Sequence, residues 1–222
     1  MEKLKGQILV VDDEKNIRKN LSLLFKLEGY QADAADNGEE ALIKCKDRVQ
    51  AYDIMFVDLQ MPKMGGFELL ANVRRLYPET VVVIVSAFGT VARAVEAIKL
   101  GAVDFLEKPF DPEKIKLLVE EILFRKGIKS GTTVDDLLHL AELAKKRNAV
   151  SESRSYLKAA LQRDFKRPEP YYYLAGLEEA EGRPRSAMQL YYMALEGNPA
   201  HEPAREALKR LGYIEEKKKE EV

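Results

Sequence analysis

The sequence predicts an α/β domain followed by an all-α domain. In the first ~125 of the 222 residues, short apolar runs alternate with longer amphipathic segments, which is the pattern of strands joined by helices in a parallel sheet. Beyond that point no strand pattern appears. The second half instead repeats with a spacing of 34 residues, which is typical of stacked helical hairpins.

Five apolar segments predict the strands of the sheet. Each is short, apolar and bounded by polar or glycine-containing turns. The fourth is dominated by β-branched residues, so we expect helices to cover both of its faces. In chain order, the predicted strands are QILVV, YQADAA, DIMFVD, TVVVIVSA and DFLEK.

Five amphipathic segments predict the helices that follow these strands. In the first, Ile17 and Leu21 recur on one face and Gly29 marks the end. The last has a favourable start, because Asp111 is an N-cap residue and Pro112 takes the first helical position, where its missing N–H costs nothing. In chain order, the predicted helices are IRKNLSLLFKLEG, GEEALIKCKDR, FELLANVRRLY, VARAVEAIKLG and FDPEKIKLLVEEILFRK.

The domain boundaries follow from these elements. The five βα units assign residues 1–126 to a doubly wound, five-stranded parallel sheet. Residues 127–133 are polar and contain glycine, which predicts a linker. Thr133, with Asp136 three residues later, predicts a capped helix start, so we expect a helical domain over residues 134–222.

The 34-residue spacing aligns Leu140–Leu161 with Leu174–Leu195. Small residues coincide where helices must approach closely, and large residues coincide where they must fill space. The pattern resembles the tetratricopeptide repeat (TPR), a helix–turn–helix unit, although Ala144 and Glu178 replace the aromatic residue expected in the first helix of each copy. We expect two repeats and a capping helix, which is fewer than the ~3 repeats that usually bury a stable core. This half is therefore expected to pack on the first domain or on a second subunit.

Composition and charge argue against several classes of protein. The net charge of −1 gives no electrostatic reason to expect binding to nucleic acid or to an anionic membrane. No apolar window approaches the ~20 residues of a membrane span, and the first apolar run is too short for a secretory signal. The single cysteine, Cys45, cannot form an internal disulfide. We therefore expect a cytoplasmic protein.

Polar and charged residues stand at the carboxyl ends of four predicted strands. Asp12 and Asp13 follow the first strand, Asp58 ends the third, and Ser86 and Lys108 stand at the ends of the fourth and fifth. These ends meet at one edge of a parallel sheet. Crowded carboxylates repel unless a cation joins them, and Mg²⁺ prefers oxygen ligands, so the sequence predicts a magnesium site. The first strand has no glycine-rich phosphate loop after it, which argues against a flavin or dinucleotide site.

Four motifs indicate a family. VVDDE, DLQMPKMGG, SAFG and DFLEKPFDPEKI, in this order and spacing, resemble the receiver domain of two-component response regulators. The stretch SAFGTVARAVEAIKLGAVDFLEKPF is similar to receivers of the nitrogen-regulatory class. The resemblance implies a flavodoxin-like fold and implies that Asp58 accepts a phosphoryl group from a phosphohistidine on a sensor histidine kinase.

The resemblance also implies the metal ligands. Asp13 would bind Mg²⁺ directly and Asp12 mostly through water. Asp58 and the main-chain carbonyl of Gln60 would complete the protein ligands. These residue types suit phosphoryl transfer, because the protein mainly positions the reacting groups and neutralises charge.

The remaining roles concern the response to phosphate. Lys108 would neutralise one phosphoryl oxygen and Ser86 would hydrogen-bond another, drawing the loop after the fourth strand. Phe105 would then turn inward, reporting the change by packing alone because it has no hydroxyl. The resemblance also implies a cis peptide bond before Pro109. Gly65 replaces the family's usual polar capping residue, so the third helix is expected to begin without a side-chain cap.

The sequence is consistent with two functional hypotheses. In the first, a phosphoryl group on Asp58 controls the binding of an unidentified protein or peptide by the helical half, where Tyr172 is a candidate groove residue. In the second, the chain is a scaffold that works without phosphate. The complete set of site residues favours the first, and a small phosphodonor would distinguish them.

Other classes are less favoured. No helix-turn-helix, ATPase phosphate loop or cyclase motif follows Lys126, so direct binding of nucleic acid is not expected. The chain would not be a conventional enzyme, although it would assist its own Mg²⁺-dependent phosphorylation and dephosphorylation. A homodimer through the face of the fourth and fifth helices is a further expectation.

Overall fold

The computed structural model describes residues 5–87, 90–127 and 132–212. The chain divides into two compact units, Met1–Leu123 and Phe124–Val222. The first unit is built around a parallel sheet, and the described part of the second consists of helices. The predicted order, an α/β fold followed by an all-α region, is confirmed.

The first unit contains five parallel strands in the order β2-β1-β3-β4-β5, which confirms the doubly wound sheet. The strands are β1 (Gln7–Val11), β2 (Gln31–Ala35), β3 (Ile54–Asp58), β4 (Val81–Ser86) and β5 (Asp104–Glu107). The helices are α1 (Lys15–Leu27), α2 (Gly38–Lys46), α3 (Gly66–Leu76), α4 (Val91–Lys99) and α5 (Pro112–Gly127), of which the last residues belong to the second unit.

The sheet is covered on both faces. Successive side chains of a strand point to opposite faces, so β1 contributes to two separate cores. Leu9 and Val11 pack with residues of α2, α3 and α4, whereas Ile8 and Val10 pack with residues of α1 and α5. Strands covered in this way are apolar along their whole length. This explains the unbroken apolar runs of β3 and β4, and it confirms the expectation for β4.

The strand order brings the two key carboxylates together. In an open α/β sheet, the crevice forms where the strand order reverses, which here is between β1 and β3. Val11 and Val57 are the last register partners of these strands. Asp12 and Asp58 are the next residues along each strand, so the backbone places them side by side at the carboxyl edge.

Helix ends agree with the predicted capping chemistry. The side chain of Asp111 accepts a hydrogen bond from the Glu113 N–H at 2.9 Å, at the start of α5. Gly65 is the N-cap of α3 and provides no side-chain cap, as expected. The Lys108–Pro109 peptide bond is cis.

Several boundaries differ from the predicted ones by one or two residues, and two of these differences lie next to the carboxyl edge of the sheet. α1 begins at Lys15, two residues before the predicted Ile17, because Lys15 and Asn16 are polar and do not contribute to a hydrophobic pattern. β5 ends at Glu107, so Lys108 is the first residue of the next loop and not the last of the strand.

The described residues of the second unit form two helical hairpins and a further helix. Its helices are α6 (Val134–Lys146), α7 (Val150–Arg163), α8 (Pro168–Ala180), α9 (Pro184–Gly197) and α10 (Glu202–Arg210). Thr133 and Asp136 form the predicted capping box, each accepting a hydrogen bond from the other's N–H. The centre of the predicted linker, residues 128–131, and the predicted solvated end, residues 213–222, lie outside the described residues. Among the residues that are described, no helix combines the length and hydropathy that crossing a membrane requires.

Residues 34 apart occupy equivalent buried positions in the two hairpins. Leu157 and Tyr191 are both buried, as are the smaller Ala160 and Ala194. Ser153 stands where the second hairpin has Ala187, and its hydroxyl donates to the Ala141 carbonyl at 2.8 Å. The polar atom is therefore satisfied, so the serine does not disrupt the close approach of α6 and α7.

Glu178 is nearly buried and joins three helices. It lies on α8 and pairs with Arg154 of α7 and with Arg183 at the start of α9, where Arg183 Nη2 lies 3.2 Å from Glu178 Oε1. Arg154 also binds Glu181 at 2.9 Å. An ion network therefore takes the place of the aromatic packing that the repeat pattern leads one to expect.

We expect Glu178→Gln to destabilise the helical unit by about 2 kcal/mol at neutral pH, because two arginines lose a partly buried partner. Arg183 and then Arg154 hold the pKa of Glu178 below its ordinary value. The carboxylate therefore stabilises the fold above the unfolded-state pKa, and this contribution disappears as pH falls through the folded-state pKa. Urea unfolding at pH 7 and below about pH 4 should show the difference between wild type and variant shrinking on acidification.

The control for this prediction is Glu142→Gln. Glu142 forms an exposed pair with Lys146 at 2.8 Å, one turn away on α6. Removing such a pair should cost no more than about 0.5 kcal/mol. If Glu142→Gln and Glu178→Gln had equal effects, the Glu178 network would be an ordinary surface interaction.

Candidate functional site

Four predicted site residues lie at the carboxyl edge of the sheet. Asp12 follows β1, Asp58 ends β3, Ser86 ends β4 and Lys108 follows β5. The exposed fractions of Asp12, Asp58 and Ser86 are 2%, 5% and 1%. Burying polar groups of this kind is costly unless they are hydrogen-bonded or paired, so we expect each of these side chains to have a specific partner.

Lys108 joins the two buried carboxylates. Its Nζ lies 2.7 Å from Asp12 Oδ2 and 3.1 Å from Asp58 Oδ1. The Lys108 N–H also donates to the Ser86 carbonyl at 2.9 Å, which fixes the chain after β5 against the end of β4. The side chain thus reaches across β4 to the crevice between β1 and β3.

The main chain orients the second oxygen of each carboxylate. Asp12 Oδ1 accepts the Glu14 N–H at 2.9 Å, and Asp58 Oδ2 accepts the Gln60 N–H at 2.7 Å. Both donors belong to the turns that leave the strands. Each carboxylate is therefore held by a backbone donor and an ammonium, and its rotamer is fixed before any ligand arrives.

The electrostatics of the site indicate an excess of negative charge. Burial raises the pKa of Asp12, and burial raises the pKa of Asp58, in each case against the lowering effect of Lys108. A neighbouring carboxylate also raises each pKa: Asp58 raises the pKa of Asp12, and Asp13 raises the pKa of Asp58. Burial alone would lower the pKa of Lys108, but its hydrogen bonds to Asp12, Glu14 and Asp58 outweigh burial and raise it. One ammonium is thus shared among several acids.

Asp13 and Gln60 are less closely engaged. The Asp13 side chain is exposed, and it influences Asp58 through its charge. Gln60 contributes its N–H to Asp58. Across residues 5–87, 90–127 and 132–212, no three His, Cys, Asp or Glu side chains are arranged as ligands of one metal ion. The three-acid cluster expected from the sequence is therefore a pair of buried acids held by Lys108, with the third acid at the surface.

The donor chemistry nevertheless suits a hard cation. Asp12 and Asp58 present carboxylate oxygens, burial makes their charges costly, and Lys108 supplies only a single compensating charge. Mg²⁺ favours carboxylate oxygens and keeps several of its waters, so it needs few protein ligands. The residues present therefore fit the predicted ion by charge and by ligand type.

Ser86 and Phe105 occupy different environments. Ser86 is buried at the end of β4 and pairs in register with Glu107 of β5. Phe105 is half-buried and packs against the core that contains residues of α3 and α4. An inward turn of Phe105 would therefore place more of its ring in that core.

Glu14 was not identified by sequence reasoning. It is the N-cap residue of α1, but its side chain makes no capping hydrogen bond, and its Oε1 lies 3.1 Å from Lys108 Nζ. Its position in the VVDDE motif, directly after Asp12 and Asp13, could have indicated that it belongs to the site. Its ordinary position before a helix gave no reason to expect a partner 94 residues away.

Tyr172 lies in the second unit. Its ring contacts those of Tyr173, Tyr191 and His201, with centroid distances of 5.4–5.7 Å. It also lines a groove against α10. A larger groove of about 420 Å³ is lined by α6, α7 and α8 and contains Tyr173, which the sequence did not single out as a groove residue.

Gly66 allows α3 to begin directly against the end of β3. A Cβ at this position would lie 2.3 Å from the Asp58 carbonyl oxygen and 2.8 Å from Leu59 Cα. We expect Gly66→Ala to cost at least about 2 kcal/mol in the free energy of unfolding, because backbone atoms cannot move aside as a flexible side chain can. Urea unfolding measures this loss. Gly65→Ala is the matched control, since its Cβ would meet only the Leu59 carbonyl oxygen at 3.5 Å. Equal costs at the two positions would contradict the steric explanation.

Curated relatives match part of the chain. The regulatory protein AtoC of Escherichia coli is 37% identical over 124 residues, which cover 56% of this chain and 26% of AtoC. A putative response regulator of Rickettsia bellii, described as NtrX-like, is 36% identical over 113 residues, covering 51% of this chain and 24% of that protein. The chain thus spans about a quarter of the length of these relatives.

Solved structures and a family match agree with this comparison. A response regulator receiver domain protein from Clostridium thermocellum has a TM-score of 0.52 and 28% identity, covering 55% of this chain and 96% of that one. A complex of CheX, CheY, BeF3 and Mg²⁺ from Borrelia burgdorferi has a TM-score of 0.50 and 33% identity, covering 56% of this chain and 90% of that one. The family described as the response regulator receiver domain matches residues 8–120, which is half of the chain. The chain therefore belongs to the response regulator receiver domain family.

Proposed function

We propose that this chain is a phosphorylation-controlled response regulator whose acceptor is Asp58. The observation that carries the proposal is a buried aspartate at the crevice of the sheet, with an ammonium 3.1 Å from one oxygen and a backbone N–H 2.7 Å from the other. Membership of the receiver family supports the same assignment. The donor would be a phosphohistidine on a sensor histidine kinase, and we place the reaction in the cytoplasm.

The transfer has a simple balance of bonds. An oxygen of ionised Asp58 forms a bond to phosphorus as the bond between phosphorus and the histidine nitrogen breaks, and the nitrogen keeps the electron pair and takes up a proton. The product is an acyl phosphate on Asp58. Hydrolysis reverses the signal, because water adds to phosphorus and the carboxylate leaves, releasing inorganic phosphate.

The surrounding residues supply charge and orientation. We propose that Asp12, Asp13, Asp58 and the Gln60 carbonyl hold Mg²⁺. When bound, Mg²⁺ supplies positive charge to the oxygens of the transferred group. Lys108 would neutralise a phosphoryl oxygen as a compact point charge.

Ser86 and Phe105 form the proposed switch. Ser86 would donate a hydrogen bond to the phosphoryl group and draw with it the loop after β4. Phe105 would move further into the core against which it is half-packed. Phosphate shifts such an equilibrium only through contacts that differ between the two states, and the Ser86 hydrogen bond is one of these.

We propose that the helical unit carries the output by binding a protein or peptide. We assign residues 1–126 to the receiver, 127–133 to a linker and 134–222 to two TPR-like repeats with a capping helix. The equivalent burial of positions 34 residues apart supports this assignment. The groove lined by α6, α7 and α8 includes the apolar side chains of Leu138, Leu157 and Leu177, and Tyr172 lines a second groove against α10. These grooves are the proposed sites for the partner.

A homodimer is a further part of the proposal. Helix α4 exposes an apolar stripe, with Val91, Val95 and Ile98 having exposed fractions of 82%, 46% and 49%. A stripe of this kind is costly to leave in water and suits association. We propose the face of α4 and α5 for this association, as the resemblance to related receivers implies.

Incubation of the full chain with acetyl phosphate and Mg²⁺ tests the acceptor function. We expect the mass to rise by one phosphoryl group, located at Asp58 by peptide mapping. A chain that gains no mass under conditions that label a control receiver would instead favour the phosphorylation-independent scaffold. Recovery of partners from lysate with and without the phosphodonor then tests the output, and equal recovery would contradict signal-dependent binding.

A further inference from the structure

Glu14 has an interaction that its position in the fold does not explain. As the N-cap residue of α1, it would ordinarily bond to the helix's own free N–H groups. Its side chain makes no such bond. Its carboxylate instead lies 3.1 Å from Lys108 Nζ, so Lys108 has three acidic partners, Asp12, Asp58 and Glu14.

The partners of Lys108 differ sharply in exposure. The side chains of Asp12 and Asp58 are only 2% and 7% exposed, whereas that of Glu14 is 59% exposed. Glu14 is therefore the solvent-exposed partner of the same ammonium that binds the two buried acids. Any phosphodonor that reaches Asp58 from solvent enters the field of this carboxylate.

We propose that Glu14 is an electrostatic gate that slows phosphorylation of Asp58 by anionic donors. This inference rests on the proposed acceptor function of Asp58. Glu14 slows phosphorylation in two ways. It occupies one of the hydrogen bonds of Lys108, which a phosphoryl oxygen must replace, and its negative charge repels the incoming phosphate group.

The repulsion should be stronger for a donor of higher charge, because Coulomb energy is proportional to the charge of the donor. Acetyl phosphate is a dianion near neutral pH, whereas phosphoramidate is a monoanion. Both deliver the same phosphoryl group. With acetyl phosphate, the Asp58 oxygen bonds to phosphorus and acetate leaves with the electron pair of the bridging oxygen. With phosphoramidate, the bond from phosphorus to the protonated nitrogen breaks and ammonia leaves.

We expect Glu14→Gln to raise the initial rate of Asp58 labelling about fivefold with acetyl phosphate and about twofold with phosphoramidate, at low ionic strength and saturating Mg²⁺. Added salt should reduce both gains, because the gate is exposed. Glu14→Asp keeps the charge and should keep the rate within about twofold of wild type. Intact-mass spectrometry of the full chain, quenched at intervals, gives the rates.

Glu28→Gln is the matched control. Glu28 lies at the other end of α1 and pairs with Lys116 at 2.8 Å, so this variant also removes one negative charge and one lysine partner from the same helix. Its labelling rates should match those of wild type with both donors. A thermal unfolding midpoint within a few degrees of wild type for Glu14→Gln excludes a loss of α1 as the cause of any rate change.

Several results would overturn the gate. Unchanged rates for Glu14→Gln, or equal gains with the two donors, would show that its charge does not control entry. Weaker binding of Mn²⁺ to Glu14→Gln, measured by electron paramagnetic resonance, would make Glu14 a metal ligand instead. The acceptor function is tested separately by the wild-type chain, because a wild-type chain that is never labelled contradicts the proposed function itself.

Discussion

Replacing Asp58 by asparagine is expected to abolish phosphoryl labelling of the full chain by acetyl phosphate and Mg²⁺. The amide has nearly the same shape as the carboxylate and can still accept the Gln60 N–H. It is a neutral group, however, and lacks the negative oxygen that attacks phosphorus. We expect no detectable gain in mass under conditions that label wild type fully.

The same variant should remain folded. Burial raises the pKa of Asp58, which means that the folded state disfavours its ionised form. A neutral amide removes this cost, so the urea midpoint at pH 7 should equal or exceed that of wild type. This result separates loss of the acceptor from loss of the fold.

Asp53→Asn provides the control on the same strand segment. Asp53 precedes β3, at the edge opposite to Asp58, and its Oδ2 accepts the Gln7 N–H at 2.9 Å. This variant should be labelled like wild type. Labelling that persists in Asp58→Asn would place the acceptor on another residue and refute the proposed function.

The sequence was a good guide to the site wherever backbone topology decides position. Asp12 and Asp58 end up adjacent because each follows the last residue of one register pair, Val11 with Val57. That adjacency needs only two facts, that both strands are parallel and that they are neighbours. Alternating strands and helices indicate the first, and the flavodoxin-like fold implied by the resemblance supplies the second.

Side-chain arrangements at the same edge were less predictable. Asp13 follows Asp12 in sequence, but neighbouring side chains at a strand end point in different directions, and here Asp13 is exposed. Glu14 reaches Lys108 across 94 residues, and no local pattern contains that distance. In the helical unit, the repeat spacing predicted which positions are buried, but not that Glu178 would form a three-helix ion network.

Replacing Lys108 by methionine is expected to change two measurements in opposite directions. Methionine keeps much of the length of the side chain and removes its charge. The rate of Asp58 labelling should fall about a hundredfold, because a positioned charge that stabilises the transferring group is lost. The affinity for Mg²⁺ should rise roughly tenfold, because Lys108 no longer neutralises the carboxylates that the ion requires.

The thermal unfolding midpoint as a function of Mg²⁺ concentration measures the second effect. A ligand that binds only the folded state stabilises it in proportion to the logarithm of its concentration above Kd, so the tighter binder responds at lower Mg²⁺. Without Mg²⁺, Lys108→Met should be less stable than wild type by about 3 kcal/mol, because two buried acids lose their shared partner. Lys116→Met, which breaks the surface pair with Glu28, should show neither effect.

A lower labelling rate together with a higher Mg²⁺ affinity would distinguish a catalytic role of Lys108 from that of a structural salt bridge. If Lys108 served only to hold Asp12 and Asp58 in place, its loss would disorder both carboxylates, and labelling and Mg²⁺ affinity would fall together. If Lys108 instead neutralises the phosphoryl group, it competes with Mg²⁺ for the two carboxylates before transfer. During transfer, Lys108 and Mg²⁺ both neutralise the phosphoryl oxygens. A variant that loses labelling while responding to Mg²⁺ at lower concentration than wild type would support the second alternative, and a parallel loss of both would refute it.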